Sequence, residues 1–479
     1  MAVAERVGSR SERGRVLVAL MLSSGLVAID STIIATAVPT VVDDLGGFSQ
    51  FPWLFSVYLL AQAVAVPIYG KLSDLYGRKP VLLFGIGVFL LGSILCGFAW
   101  SMVALIVFRA IQGLGAGAVQ PTTITVVGDT YTLEERGRVQ GYMASVWATS
   151  AVVGPALGGI FSEYLSWRWI FFVNVPLCVL AATLLIRRFH ERVSRRRPVL
   201  DYAGAGLLAT GCTLLILGLL EGGVAWAWDS PAGIGVLAAG AFALFVFVLV
   251  ERRSPEPVLP LWIFRRRIVA SCGLVSFAIG ATLLGLTSYV PTFVQTVIGT
   301  GPLVAGFTLA VLTLGWPLTA SQSSRLYLRV GFRNTATIGS AIAIAGTVFI
   351  ALLHAGTTVV MVGAGCFVVG AGFGLIAAPT IVAAQASVGW SERGVVTASN
   401  LFSRSIGSAV GVAVFGAIAN ATLHGEHTPA AIATASHHVF VAVAGAAVLM
   451  TLAVLSLPAS PVAAALVGPG GLDNSGAGG

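Results

Sequence analysis

The chain is poor in charge: only 10% of its 479 residues are Asp, Glu, Lys or Arg. A soluble protein of this size keeps roughly a quarter of its residues charged. Without that supply a water-facing surface cannot be covered. With 57% apolar residues and a mean hydropathy of +0.93, lipid is the expected solvent for much of the exterior. Cysteine is scarce and scattered as well. Cys96, Cys178, Cys212, Cys272 and Cys366 sit singly inside apolar runs, which argues against a disulfide framework or a zinc cluster and leaves small packing residues. The chain also lacks a Ser/His/Asp set, a metal cluster and a phosphate loop, so it does not read as an enzyme and no cofactor is expected. No Walker lysine is present, which removes ATP as the direct energy source.

What the sequence does have is long apolar runs. They fall at 15–40, 51–73, 80–99, 102–129, 138–163, 168–188, 201–221, 232–250, 269–293, 303–323, 334–354, 358–382, 395–421 and 437–458, fourteen in all. Crossing a bilayer takes about 20 apolar residues per helix, so the expected fold class is an all-α membrane protein with 14 transmembrane helices. Arg6, Arg10, Arg13 and Arg15 precede the first run, as in a signal peptide. That run is too long, contains Asp30 and lacks a small-residue cleavage site, so it reads as a retained first helix.

Basic residues set the expected topology. With the N-terminus inside, 24 of the 27 Lys and Arg fall in cytoplasmic segments, from Arg6 through Lys71, Arg78 and Lys79 to Arg393. Arg168 lies outside, and Arg109 and Arg404 lie within helices. This is a strong positive-inside signal, and an even helix count returns the C-terminus to the cytoplasm. The net charge of +8 is therefore an orientation device spread over short loops, and a nucleic-acid partner is excluded.

The sequence repeats internally. Gly70-Lys-Leu-Ser-Asp-Leu-Tyr-Gly-Arg-Lys79 is echoed by Ser324-Arg-Leu-Tyr-Leu-Arg-Val-Gly-Phe-Arg333, with Leu72, Gly77 and Lys79 matching Leu326, Gly331 and Arg333. Gly113-Leu-Gly-Ala-Gly is echoed by Gly370-Ala-Gly-Phe-Gly. These repeats divide the chain as 6+2+6: a cytoplasmic N-terminal segment (1–14), a six-helix half (15–200), a two-helix insert with a cytoplasmic linker (201–268), a second six-helix half (269–458) and a disordered tail (459–479). Two parallel six-helix halves flanking a midplane site is a known transporter plan.

Four local patterns then stand in order along the chain: Asp30-Ser-Thr32 through Ala37-Val-Pro39, Gly70-x-Leu-x-Asp74-x-x-Gly77-Arg78-Lys79, Arg109-x-x-Gln112-Gly113-x-Gly115-x-Gly117, and Gly154-Pro155-Ala-Leu-Gly158-Gly159. On these residues the chain resembles the major facilitator superfamily, and within it the fourteen-helix drug:proton antiporters. It departs from them at Ser150, where the family often has another glycine. The resemblance implies multidrug efflux by proton-coupled antiport and alternating access. It also implies that Gly70, Asp74, Gly77, Arg78 and Lys79 form a gating latch between the halves, and that Gly154, Pro155, Gly158 and Gly159 form a hinge or seal against leak. Independently of family, Gly70 and Gly77 permit a tight turn. Small residues on adjacent turns of the fifth helix also permit close packing, and Pro155 bends it.

Ionisable residues deep in a membrane are costly and mark function by default. Asp30 lies nine residues before Pro39, where the first helix is expected to emerge, and Arg109 eight residues after Ser101. At about 1.5 Å per residue both sit roughly 12–14 Å below the outer face, so they are expected to pair, as proton-coupling residues or as a structural ion pair. Tyr58, Gln62, Gln120, Trp147, Tyr289, Phe293 and Asn400 offer the aromatic and amide surface that suits amphipathic ligands. Arg404, with Asn400 one turn before and Ser408 one turn after, is expected either to line the cavity or to bind a lipid head group near the inner face. His424, His427, His437 and His438 lie in or beside the last external loop and read as solvated, with no metal expected.

The expected function is proton-coupled export of small amphipathic or drug-like compounds from the inner (plasma) membrane by a monomer surrounded by lipid. The proton gradient is its energy source. A dedicated lipid or metabolite exporter, an importer and a membrane sensor or receptor are the alternatives.

Overall fold

Backbone N–H and C=O groups in lipid must be satisfied within the protein, which restricts spanning segments to helices or closed barrels. The computed structural model describes residues 12–46, 50, 53–191, 201–222, 226–354, 356–423 and 428–459. The calls on Arg6, Arg10, residues 192–200, His424, His427 and the 460–479 tail lie outside the described residues. The helices are α1 (Glu12–Leu45), α2 (Trp53–Tyr76), α3 (Arg78–Gly97), α4 (Met102–Thr130), α5 (Leu133–Tyr164), α6 (Trp169–Phe172), α7 (Asn174–Arg188) and α8 (Tyr202–Glu221). They continue as α9 (Pro231–Glu251), α10 (Trp262–Arg265), α11 (Arg267–Thr296), α12 (Pro302–Val330), α13 (Phe332–Ala351), α14 (Val359–Ala386), α15 (Arg393–Leu423) and α16 (Pro429–Leu455). Among the described residues, 14 helices are long and apolar enough to cross a membrane, α6 and α7 together forming one of them.

The expected spans coincide with these helices apart from three details. Pro39 does not end the first helix; it lies inside α1, which continues to Leu45. The sixth span is interrupted at Val173, between α6 and α7. The last helix begins at Pro429 rather than near residue 437, because Thr428 caps it through a side-chain oxygen that accepts from Ala431 N–H, and proline suits the first helical turn. His437 and His438 are therefore helical residues, exposed near the start of α16, and not loop residues.

The described helices fall into two units. The first holds α1 to α4, residues 145–164 of α5, and α6 to α9. In it α4 packs between α2 and α3, α1 packs on α7, and the pair α8–α9 joins through α2. The second holds residues 133–144 of α5 and α10 to α16. There α14 packs between α12 and α13, and α11 between α15 and α16.

The same glycine pattern builds both wedges. A Cβ on Gly113 or Gly117 would strike the backbone of α2 at Tyr58 or Gln62, and one on Gly115 would strike Phe89 of α3. In the second unit Gly370 and Gly374 meet the α12 backbone at Leu312 and Trp316, and Gly372 meets α13 at Ala343. At about 100° per residue, the first and third glycines of each triplet share a face and the second points away. One helix can thus approach two neighbours at backbone distance. The repeated loops match too: Gly77 and Gly331 turn at φ 96° and 87°, a left-handed region that favours glycine.

Candidate functional site

Asp30 stands in the middle of α1, 1% exposed, within a polar network drawn from five helices of the first unit. Its Oδ2 accepts from Arg109 Nη1 at 2.6 Å, and its Oδ1 accepts from Gln112 Nε2 at 2.7 Å and Asn174 Nδ2 at 3.2 Å. Arg109 also donates to Gln112 Oε1 at 2.7 Å and to the Leu54 carbonyl at 3.2 Å, and its guanidinium lies 4.1 Å above the Tyr58 ring. Asn174 passes the network on to Ser93 at 2.9 Å, and Ser93 donates to the Phe171 carbonyl at 2.9 Å. Removing one partner from such a buried pair strands the other charge, at roughly 3–5 kcal/mol.

The expectation that Asp30 and Arg109 pair therefore agrees with the geometry. Gln112, Asn174 and Ser93 were missed as partners. Gln112 had a signal, since it lies three residues beyond Arg109 on the same helical face. Asn174 had a weaker one, as an amide near the start of an apolar span.

The loop motif gathers where the end of α2, the start of α3 and the ends of α4 and α7 meet. Arg78, fully buried, pairs with Asp74 at 2.8 Å and Asp129 at 3.0 Å and donates to the Ser73 carbonyl at 2.6 Å. Glu191, just past α7, accepts from the backbone N–H of Arg78 and of Lys79, each at 2.8 Å. Lys79 Nζ donates to the Ile186 carbonyl at 2.9 Å, and Lys71 pairs with Glu256 at 2.7 Å. These contacts all lie within the first unit. Glu191 and Asp129 carried no sequence signal, because their roles depend on helix ends that only packing brings together. On the opposite side, Asp44 accepts from Trp167 and Arg168, and these bonds hold its carboxyl below the usual range.

The fifth-helix glycines divide. Gly154 and Gly158 face α1, where an added Cβ would collide with Thr32 and with Thr36 and Ile33, whereas Gly159 faces open space. Thr32 donates to the Ser150 carbonyl at 2.9 Å and Thr36 to the Pro155 carbonyl at 3.4 Å, so this seam is also hydrogen-bonded. Ser150, the departure from the family pattern, is buried with its hydroxyl bonded to Val146.

The ligand-lining candidates scatter. Tyr58 belongs to the Asp30 network. Gln62 is half-buried; Gln120 is buried, its Nε2 without a partner among the described residues. Trp147 is exposed on α5. Tyr289 is tied to the Phe415 carbonyl at 3.2 Å. Phe293 is packed edge-to-face on Phe440 at 5.8 Å in an apolar core, which makes it a packing residue in this structure. Asn400 joins α15 to α11 through Ser276 at 2.6 Å and the Cys272 carbonyl at 3.1 Å. Arg404 lies over Trp316.

Comparison with known proteins agrees with this architecture. The Major Facilitator Superfamily profile matches residues 20–412. Multidrug resistance protein 3 of Bacillus subtilis is 36% identical over 408 residues, covering 84% of this chain and 79% of that protein. The multidrug transporter protein MdtP of the same organism is 32% identical over 414 residues, 86% of this chain and 76% of the relative. The crystal structure of the human organic anion transporter MFSD10 superposes with a TM-score of 0.68 over 93% of this chain and all of its own, at 16% identity, a likeness of fold. With 14 apolar helices, a repeated glycine wedge and a buried Asp–Arg pair, the chain is an integral membrane transporter that belongs to the Major Facilitator Superfamily.

Proposed function

We propose that this transporter is a proton-coupled multidrug exporter in which Asp30 carries the proton. The carrying observation is the network around that carboxylate. A buried pair tolerates protonation of its acid only if the cation keeps other partners. Here Arg109 would keep Gln112 Oε1, the Leu54 carbonyl and the face of Tyr58. A protonated Asp30 becomes a donor, and Asn174 Oδ1, buried and unpaired among the described residues, becomes a suitable acceptor after rotation of its amide. The carboxylate can therefore change its protonation state while Arg109 stays hydrogen-bonded, which supports exchange of a proton for a substrate at this site. The relatives' names support efflux of drug-like compounds as the transported class. The positive-inside distribution supports a cytoplasmic membrane with both termini inside.

Asp30→Asn keeps the shape of the site and cannot release a proton. In proteoliposomes it should reduce gradient-driven efflux at least tenfold, to background, while counterflow without a gradient survives. Substrate addition to detergent-solubilised protein should release protons from the wild type across pH 5–9 and none from the variant. Wild-type efflux and proton release by Asp30→Asn would move the carrier elsewhere and leave the pair structural.

A further inference from the structure

Arg404 is a second cation deep in the membrane, and its surroundings differ from those of Arg109. It lies eleven residues past Arg393, the first residue of α15, or about 16 Å along the helix, roughly half the 30 Å hydrocarbon thickness. Its guanidinium carbon stands 4.9 Å above the ring of Trp316, which is midway along α12. The side chain is half-buried and makes no hydrogen bond or ion pair among the described residues. Residues 261–458 contain two acids in all, Glu392 and Glu426. Glu392 is paired with Arg266 at 3.0 Å, and Glu426 follows the end of α15. Arg109 has its carboxylate; Arg404 has none among the described residues. A cation kept at this depth is costly and normally pairs.

We propose that Arg404 and Trp316 form an anion-binding subsite for the exported compound, so that substrates include amphiphiles carrying a carboxylate, sulfonate or phosphate beside an aromatic body. A guanidinium presents a planar fork that takes such groups bidentately, and an indole face accepts an aromatic ring. The neighbouring polar groups are already engaged and leave the fork free. Asn400, one turn before, is tied to Ser276 and Cys272; Ser408, one turn after, donates to the Gly280 carbonyl at 3.1 Å. Trp316 is held by Phe373, edge-on at 5.4 Å. A phospholipid phosphate has the same chemistry, but headgroups lie at the interface, about 15 Å from mid-membrane.

This inference names the substrate class of the exporter proposed above, and its test needs no proton gradient. Fluorescein and rhodamine 123 share a xanthene body and differ in charge, anionic and cationic. Their binding is measured by fluorescence anisotropy on the full chain in nanodiscs of phosphatidylcholine, and again with phosphatidylglycerol added. The wild type should bind fluorescein at least tenfold tighter than rhodamine 123 in both lipids. Arg404→Gln should weaken fluorescein at least tenfold and leave rhodamine 123 unchanged. If that variant is not monodisperse, Ser408→Asp, which sets a carboxylate one turn from the guanidinium, should do the same. Asp30→Asn should keep the anion preference, so failure of proton coupling and failure of the subsite read out separately. A wild type without anion preference, or variants that keep it, overturns the proposal. So does a loss confined to competition by phosphatidylglycerol, which would make Arg404 a lipid contact.

Discussion

Glu191 does a job at α3 that the motif's own residues cannot do. Arg78 and Lys79 open that helix, and cations are misplaced at the positive end of a helix dipole. The Glu191 carboxylate offsets this by accepting from both of their backbone N–H groups at 2.8 Å. Glu191→Ala should therefore lower stability by about 1–2 kcal/mol, the range for a lost cap near a helix charge. Thermal unfolding in detergent measures it, and Glu191→Gln should recover part of the loss. An unchanged Tm would mean that water replaces the cap fully. Arg78 itself, while buried, pairs with both Asp74 and Asp129, so the motif is a structural joint of the first unit. Its expected gating role is a separate question of turnover.

At the scale of elements, the glycine triplets decide which helices can sit side by side. Gly115 abuts the backbone of Phe89, and nothing in that contact can swing aside as a flexible side chain would. Gly115→Val should separate α3 from α4 and cost roughly 1–3 kcal/mol or more by overpacking, visible as loss of monodisperse protein. Gly159→Ala meets nothing within 4 Å and should be neutral, or stabilising by up to about 1 kcal/mol through helix propensity. If both changes behaved alike, the wedge would not govern packing. The repeat carries a further asymmetry. The first unit places Arg109 and Gln112 ahead of its triplet, whereas Cys366 and Val369 stand at the matching positions of α14, inside an apolar core. The buried Asp30–Arg109 pair therefore belongs to one repeat, and Arg404, without an ion-pair partner among the described residues, to the other.

For the whole molecule, the orientation in the membrane is the quantity to test. Reporter fusions after Arg197 and Arg267 should read cytoplasmic, and one in the 222–229 link between α8 and α9 should read external. A cytoplasmic signal from the link would mean that α8 and α9 do not both span, and the 6+2+6 plan would fall. This expectation follows from loop charge, which acts during insertion, before the helices pack.

That distinction separates what the sequence alone determined from what tertiary structure decided. Hydropathy over about 20 residues reports the solvent of a helix, so the spans, the class and the wedge-forming glycines were legible without coordinates. The pairing of Asp30 and Arg109 was legible because rise per residue is constant along a helix. Helix ends were less so: Pro39 within α1 and Thr428 before α16 depend on local capping and on neighbours that satisfy a bent backbone. Partnerships across helices were not legible at all. That Asn174 reaches Asp30, that Glu191 caps α3, that Phe293 is buried against Phe440 and that Arg404 rests on Trp316 are set by helix rotation and interhelical distance. Those quantities emerge only when close-packed side chains select one arrangement, and no one-dimensional period encodes them.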